Sequence, residues 1–408
     1  MPSGSGREGR WALPILAILS LLAHLLFILA HPSGFDLETW AIVGRALASG
    51  RDFYCEALAS GHAFAYPPLF AQAILLPLAL AIPPSNEFAF LLALRLVFSA
   101  FDLCTGVLLW RMLGPKRLLS ALWFLNPFVM GVAQYQFDGI PAFFILLSVY
   151  ALKKGVARSS WLLGIAASLK IYPGLLLPIA IGRAKGLRGA AIASLAAISV
   201  PFISMAPHLS SNCFWRSLFL HFEYSASAMG GCVLLNPIVY VLLLILAFKR
   251  GLDIIKAGIA IISSFYILFH FLTNPFYAHP FYSVQYAASL LPLLVLDIPR
   301  PGQRLAKCLA YNSVWISALA ARYKATLYRH IPMPIPPEPF GQLSFYAFMA
   351  SLAATCAVAL LGSPAPSAEP RFASAPSDGG APIPCGGSNA FYNAADPPRG
   401  EGVYGGLA

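Results

Sequence analysis

Residues 159–182 read SSWLLGIAASLKIYPGLLLPIAIG. The run is apolar and long enough to cross about 30 Å of hydrocarbon as a helix. Lys170 nevertheless stands eleven residues into it, and Pro173 follows three residues later. A lysine at that depth does not snorkel easily to water. Proline removes a backbone donor and disfavours helical geometry at Tyr172. The stretch therefore predicts a broken or re-entrant helix, not a smooth span. With no acid near it in sequence, Lys170 suits a buried anion such as a phosphate better than it suits packing.

The rest of the 408-residue chain has the same character: 58% of residues are hydrophobic, 11% are charged, and the mean hydropathy is +0.71. These values exclude an ordinary soluble enzyme or nucleic-acid binder. Apolar runs fall at 11–30, 68–82, 86–110, 118–133, 139–152, 159–182, 187–205, 233–248, 254–272, 280–297, 305–321 and 341–362. The expected fold is all-α and polytopic, with about 11–12 membrane helices. The net charge of +11 gathers in short clusters between the runs, at Arg111–Arg117, Lys153–Arg158, Arg183–Arg188, Lys249–Arg250 and Arg300–Lys307. Such clusters read as cytosolic topology signals and lipid contacts. Placing them all inside requires 159–182 to turn back within the membrane, and requires one of 68–82 or 86–110 not to cross.

The segments divide the chain into a cytosolic N-terminus at 1–10, a membrane module at 11–205, a second outer loop at 206–232, further membrane helices at 233–362 and a tail at 363–408. The first outer loop, 31–68, lies within the module. Its stretch Asp36–Ala48 has amphipathic spacing through Trp40, Ile42, Val43, Ala46 and Leu47, and is expected to lie along the membrane surface. The tail is rich in Pro, Gly, Ala and Ser and is expected to be disordered. The seven cysteines show no Cys-x-x-Cys spacing. Cys213 and Cys232 share one outer loop, which makes a bridge between them feasible.

Ionisable residues within or beside apolar runs each need a partner or a task. Asp36 stands at the amino end of the surface helix and reads either as its cap or as a catalytic acid. Glu38 reads as a solvated first-turn acid. Arg95, Ser99 and Asp102 form one stripe on one helix face, an internal ion pair more readily than a substrate contact. Asp138 in Gln136-Phe137-Asp138-Gly139 occupies a tight turn at a membrane boundary. The second loop adds Arg216 and Glu223.

Several motifs occur together and in order. They are Phe35-Asp36-Leu37-Glu38-Thr39-Trp40, Gly50-Arg51-Asp52-Phe53-Tyr54 and Tyr66-Pro67-Pro68-Leu69-Phe70. Further along come Leu125-Asn126-Pro127 with Gln134-Tyr135-Gln136-Phe137-Asp138, and Leu169-Lys170-Ile171-Tyr172-Pro173. Ser283-Val284-Gln285-Tyr286 with Leu291-Pro292 comes last. As a set, over residues 11–297, they resemble membrane glycosyltransferases of the GT-C superfamily, and the late motif is similar to that of mannosyltransferases using polyprenyl or dolichyl phosphate mannose.

The resemblance implies transfer of a sugar, mannose first among candidates, from a polyprenyl phosphate donor to an acceptor hydroxyl with inversion, on the non-cytosolic face. It implies a multi-pass protein of the cell membrane, or of the endoplasmic reticulum membrane in a eukaryote. Asp36 matches the general base. Lys170, with Arg216, becomes a candidate for the donor phosphate; Glu38, Tyr66, Gln136, Asp138 and Gln285 become candidates for binding substrate. The partners implied are the donor lipid, a glycan, lipid or protein acceptor, and membrane lipids, with no nucleic acid. A divalent cation stays open as a cofactor, because the family often shows two adjacent acids where this chain separates Asp36 and Glu38 by Leu37. Two other readings stand beside this one: a transporter or flippase of a lipid-linked or polar solute, which also places charges in broken helices, and a membrane subunit whose partner carries the activity.

Overall fold

The computed structural model describes residues 11–30, 35–219, 235–273, 287–300, 302–322 and 337–361. The described residues contain helices and turns and no strand, and the chain is an all-α polytopic membrane protein. The expected tail and Gln285 fall outside the described residues, as do Glu223 and Cys232.

The outer loop and its flanking helices come first: α1 (Ala12–Ala30), α2 (Phe35–Ala48), α3 (Phe53–Ala59), α4 (Ala71–Ala81) and α5 (Glu87–Leu113). They are followed by α6 (Gly139–Ala151), α7 (Val156–Leu169), α8 (Tyr172–Ile181), α9 (Gly186–Met205) and a short helix α10 over 212–219. The later bundle holds α11 (Leu235–Lys249), α12 (Ile254–Thr273), α13 (Ala287–Asp297), α14 (Arg304–Arg322) and α15 (Pro337–Leu361). Stretches in α1, α5, α9 and α15 are long and apolar enough to cross a bilayer. The sides of α1 and α9 carrying Ile18, Leu22 and Leu26, and Leu195, Ile198 and Phe202, are exposed. In a polytopic protein these are the faces that meet lipid.

Two expected spans are not single helices. The run 118–133 breaks where Asn126 caps the turn Pro127–Val132, its Oδ1 accepting from the amides of Phe128 (3.0 Å) and Val129 (3.3 Å). Asparagine followed by proline stops one helix and starts another. The run 68–82 contributes only α4, too short to cross, which opens on a π-helical turn at Ala71–Leu75. At α5, helix 87–113 is instead longer than expected.

The centre of the fold is the hairpin α6–α7, joined by the single turn Leu152–Lys154. Its arms contain 13 and 14 residues, so each rises about 20 Å. Equal antiparallel arms bring Asp138, the N-cap of α6, and Lys170, the C-cap of α7, to the same level. The break falls at Lys170, whose backbone is extended (φ −143°, ψ 140°). The chain then returns through α8, and Arg183 beyond it donates to the carbonyl of Leu252 (3.4 Å). The segment 156–181 therefore enters the bundle and leaves by the end it came from. That end also holds Lys116 on the Pro299 carbonyl (2.9 Å), Arg250 on the Leu360 carbonyl (2.6 Å) and Arg300 paired with Asp253. Gly164 lets α7 approach α9 closely, because a Cβ there would meet the Ala197 carbonyl oxygen at 2.2 Å.

Helix α3 and the described residues 206–219 gather at the opposite end. Cys213 is bonded to Cys55 (Cα–Cα 5.1 Å), not to Cys232. Sharing a loop in sequence mattered less than packing: Asp52 caps α3 through the amides of Tyr54 and Cys55 and also accepts from Ser211 Oγ (2.8 Å), which seats α10 beside α3. Burial raises the pKa of the Tyr54 hydroxyl, with nearby Asp52 adding to the effect. The hydroxyl remains a donor, to the Tyr66 carbonyl at 2.8 Å. The apolar side of α2 is covered by protein. Trp40, Val43 and Ala46 are buried, and Gly44 abuts the Phe90 ring. The amphipathic spacing thus marks a face turned onto an aromatic core.

Residues 55 and 213 enclose a long loop, so losing the bridge is worth about 2–4 kcal/mol in the chain-entropy account. Cys55→Ser should lower the thermal midpoint by several degrees. A non-reducing digest should recover one peptide pair carrying Cys55 and Cys213; recovery of Cys55 as a free thiol would contradict the fold at its outer end.

Candidate active site

Lys170 and Asp138 meet at the tips of α7 and α6. Both carboxylate oxygens accept from Nζ at 2.9 Å, and the two residues are 2% and 0% exposed. Asp138 makes no capping bond to its own helix, so the turn role expected from Asp138-Gly139 is not what its side chain does. The ammonium lies 5.0 Å from the ring centre of Tyr66 and 4.8 Å from that of Phe137. Rings at that range attract a cation through their electron-rich faces. A buried charge pair is tolerable when its remaining faces are compensated in this way.

The rings belong to a continuous aromatic cluster. Trp40 contacts Phe64, Tyr66, Phe70 and Phe137, with Phe137 at 5.6 Å, and its indole N–H donates to the Tyr135 carbonyl (3.0 Å). Phe70 stacks on Phe137 at 3.9 Å. The first outer loop is therefore fastened over the lysine by ring packing, and α2 follows through Trp40.

That docking delivers Asp36. It is half-buried, lies in the first turn of α2, which begins at Phe35, and acts electrostatically on both Asp138 and Lys170. Three predicted site residues, Asp36, Asp138 and Lys170, are thus brought together, with Tyr66 as a fourth. Gln136 is 1% exposed, and its Oε1 has no hydrogen-bond partner among the described residues. A buried amide oxygen in that state is ready to receive a hydroxyl.

The other candidates lie elsewhere. Arg216 is exposed on α10, outside this cluster. Glu38 is 58% exposed and lies 3.9 Å from His62 Nε2. At 100° per residue Asp36 and Glu38 point about 200° apart, so they cannot chelate one ion from α2. No group of three or more His, Cys, Asp or Glu among the described residues is arranged to hold a metal. The described residues do not assemble a divalent-cation site, and no step below uses one.

The expected Arg95–Asp102 pair does not form. Arg95 Nε donates to the Gln134 carbonyl (2.8 Å) and Nη1 to the Ile28 carbonyl (3.3 Å), while Asp102 Oδ2 meets His24 Nε2 at 3.4 Å. Seven residues separate the two by about 10 Å along the helix axis, and each found a nearer partner. Sequence reasoning also missed the part played by Trp40 and Phe137 around the lysine. Its only trace was aromatic residues flanking the motif acids.

No protein-family model matches the chain, and no solved structure matches it. Curated proteins do match in part. Over 95 residues the chain is 35% identical to GPI mannosyltransferase 1 of Eremothecium gossypii. It is 31% identical over 99 residues to GPI mannosyltransferase 1 of Debaryomyces hansenii, and 32% over 95 residues to that of Candida albicans. Each match takes in 21% of this chain and 24% of the relative. The similarity spans about a quarter of these relatives and supports a mannosyltransferase-like membrane glycosyltransferase over that part.

Removing one partner of a buried ion pair leaves the other uncompensated, which costs about 3–5 kcal/mol. Lys170→Met should therefore lower the yield of folded protein, and adding Asp138→Asn should recover part of it. Size-exclusion yield and thermal midpoint read this out. A double variant no better than Lys170→Met would show that the two residues are not coupled.

Proposed function

We propose that the chain is a membrane glycosyltransferase that moves a sugar, mannose by the nature of its partial relatives, from a polyprenyl phosphate to an acceptor hydroxyl on the non-cytosolic face. The carrying observation is the buried Lys170–Asp138 pair with Asp36 near enough to act on both electrostatically, at the end of the bundle that bears the disulfide and opposite the basic clusters. Positive clusters favour the cytosol, and disulfides favour oxidising compartments.

The chemistry follows from these groups. The acceptor oxygen attacks the anomeric carbon as Asp36 takes its proton, and the bond from that carbon to the phosphate oxygen breaks. The lipid phosphate leaves with the electron pair. One displacement by one base inverts the anomeric centre. A positioned carboxylate supplies the proton acceptor, and fixed positive charge stabilises the departing phosphate in a site of low dielectric. Asp138 holds the ammonium through both carboxylate oxygens, and the charge so fixed is the one through which Lys170 serves Asp36 or a donor phosphate oxygen. Lys170, not the exposed Arg216, fills this role because it is buried and within electrostatic reach of the base. Gln136 and Tyr66 line the sugar, and Glu38 takes no part in the step.

Asp36→Asn keeps size and polarity but removes the proton acceptor. Turnover of a polyprenyl phosphate mannose donor should fall by roughly 10²-fold or more, with donor affinity retained. Turnover near wild type would sink the assignment of Asp36.

A further inference from the structure

The pair His24–Asp102 is buried, carries chemistry, and has no place in the step above. His24 lies in α1, 1% exposed, and Asp102 lies in α5, 3% exposed. Nδ1 of His24 sits 2.8 Å from the Ser20 carbonyl. A carbonyl only accepts, so Nδ1 carries a hydrogen. Nε2 faces Asp102 Oδ2 at 3.4 Å, and an approach of these two acceptors holds one further proton between them.

The other carboxylate oxygen of Asp102 points at the start of α6. It has no hydrogen-bond partner among the described residues. A Cβ built on Gly139 would lie 2.1 Å from it. Asp138 is the N-cap of α6 but has given its side chain to Lys170, so the helix start lacks its own acid. Asp102, from a neighbouring helix, supplies negative charge there, where the helix dipole favours it.

We infer that His24 and Asp102 are positioning residues: together they fix the first turn of α6 so that Asp138 faces Lys170 rather than its own helix. The same histidine ties down α1, the helix that leads directly into the turn bearing Asp36. One dyad thus sets both sides of the site. Gly139 is required because any side chain would displace Asp102. This inference rests on the glycosyl-transfer reading for its kinetic consequence, but not for the pairing itself.

The test uses full-length protein in detergent. In histidine-¹⁵N-labelled protein, His24→Gln identifies the His24 resonances by difference, and Asp102→Asn should move them. Unmoved resonances overturn the pairing. In parallel, His24→Leu should lower kcat per folded molecule by roughly 10-fold or more with donor KM changed less than about threefold, and His24→Gln, which can still donate to Asp102, should recover most of the loss. A variant that loses folded yield while its kcat per folded molecule stays within about twofold of wild type shows a merely structural role and overturns the inference. Wild-type protein that transfers no sugar from any polyprenyl phosphate sugar would refute the functional reading instead, and the resonances would still decide the pair.

Discussion

The fold turns on one ion pair. Lys170 and Asp138 are 32 residues apart in sequence and occupy the tips of two antiparallel helices of nearly equal length. Neither charge could remain buried alone, since an unpaired charge in hydrocarbon costs several kcal/mol or shifts to its neutral form. The pair therefore requires the hairpin α6–α7 to stay in register, and requires α7 to stop at the lysine. The re-entrant return through α8 follows, and with it the gathering of basic residues at one end.

The aromatic cluster makes that pair a site and not only a joint. Tyr66 and Phe137 cover the ammonium, and Trp40 packs on both rings. The outer loop is thereby held over the lysine, and Asp36 comes with it. The disulfide Cys55–Cys213 and the bond from Ser211 to Asp52 fasten the loop at its far edge. A carboxylate placed by a rigid scaffold can act as a base without being buried, because α2 is held by its opposite face.

What could be read from sequence was local. Pro173 and the depth of Lys170 foretold the break in 159–182. Asn126-Pro127 carries the signal for the break inside 118–133, a run whose apolar content reads as one membrane segment. Amphipathic spacing at Asp36–Ala48 marked the helix correctly but not its covering, since period alone does not distinguish lipid from an aromatic core. Partnerships across the chain were not legible. A bridge from Cys213 to a loop neighbour looks feasible from sequence, and an ion pair from Arg95 to Asp102 looks natural on one helix. The real partners, Cys55 for the first, backbone carbonyls for Arg95 and His24 for Asp102, come from segments that only folding brings near. Asp138 looked like a turn residue because its neighbour is glycine; that glycine instead makes room for Asp102.

The central claim is that this cluster makes a glycosidic bond and does not merely admit a lipid-linked sugar. Reconstituting the purified protein in liposomes with radiolabelled polyprenyl phosphate mannose and a panel of hydroxyl acceptors tests it most directly. The account predicts label in a new product from which the polyprenyl phosphate has been released, formed by wild-type protein and not by empty vesicles. Label that crosses the bilayer still attached to its lipid, with no new product, would contradict it and favour a flippase.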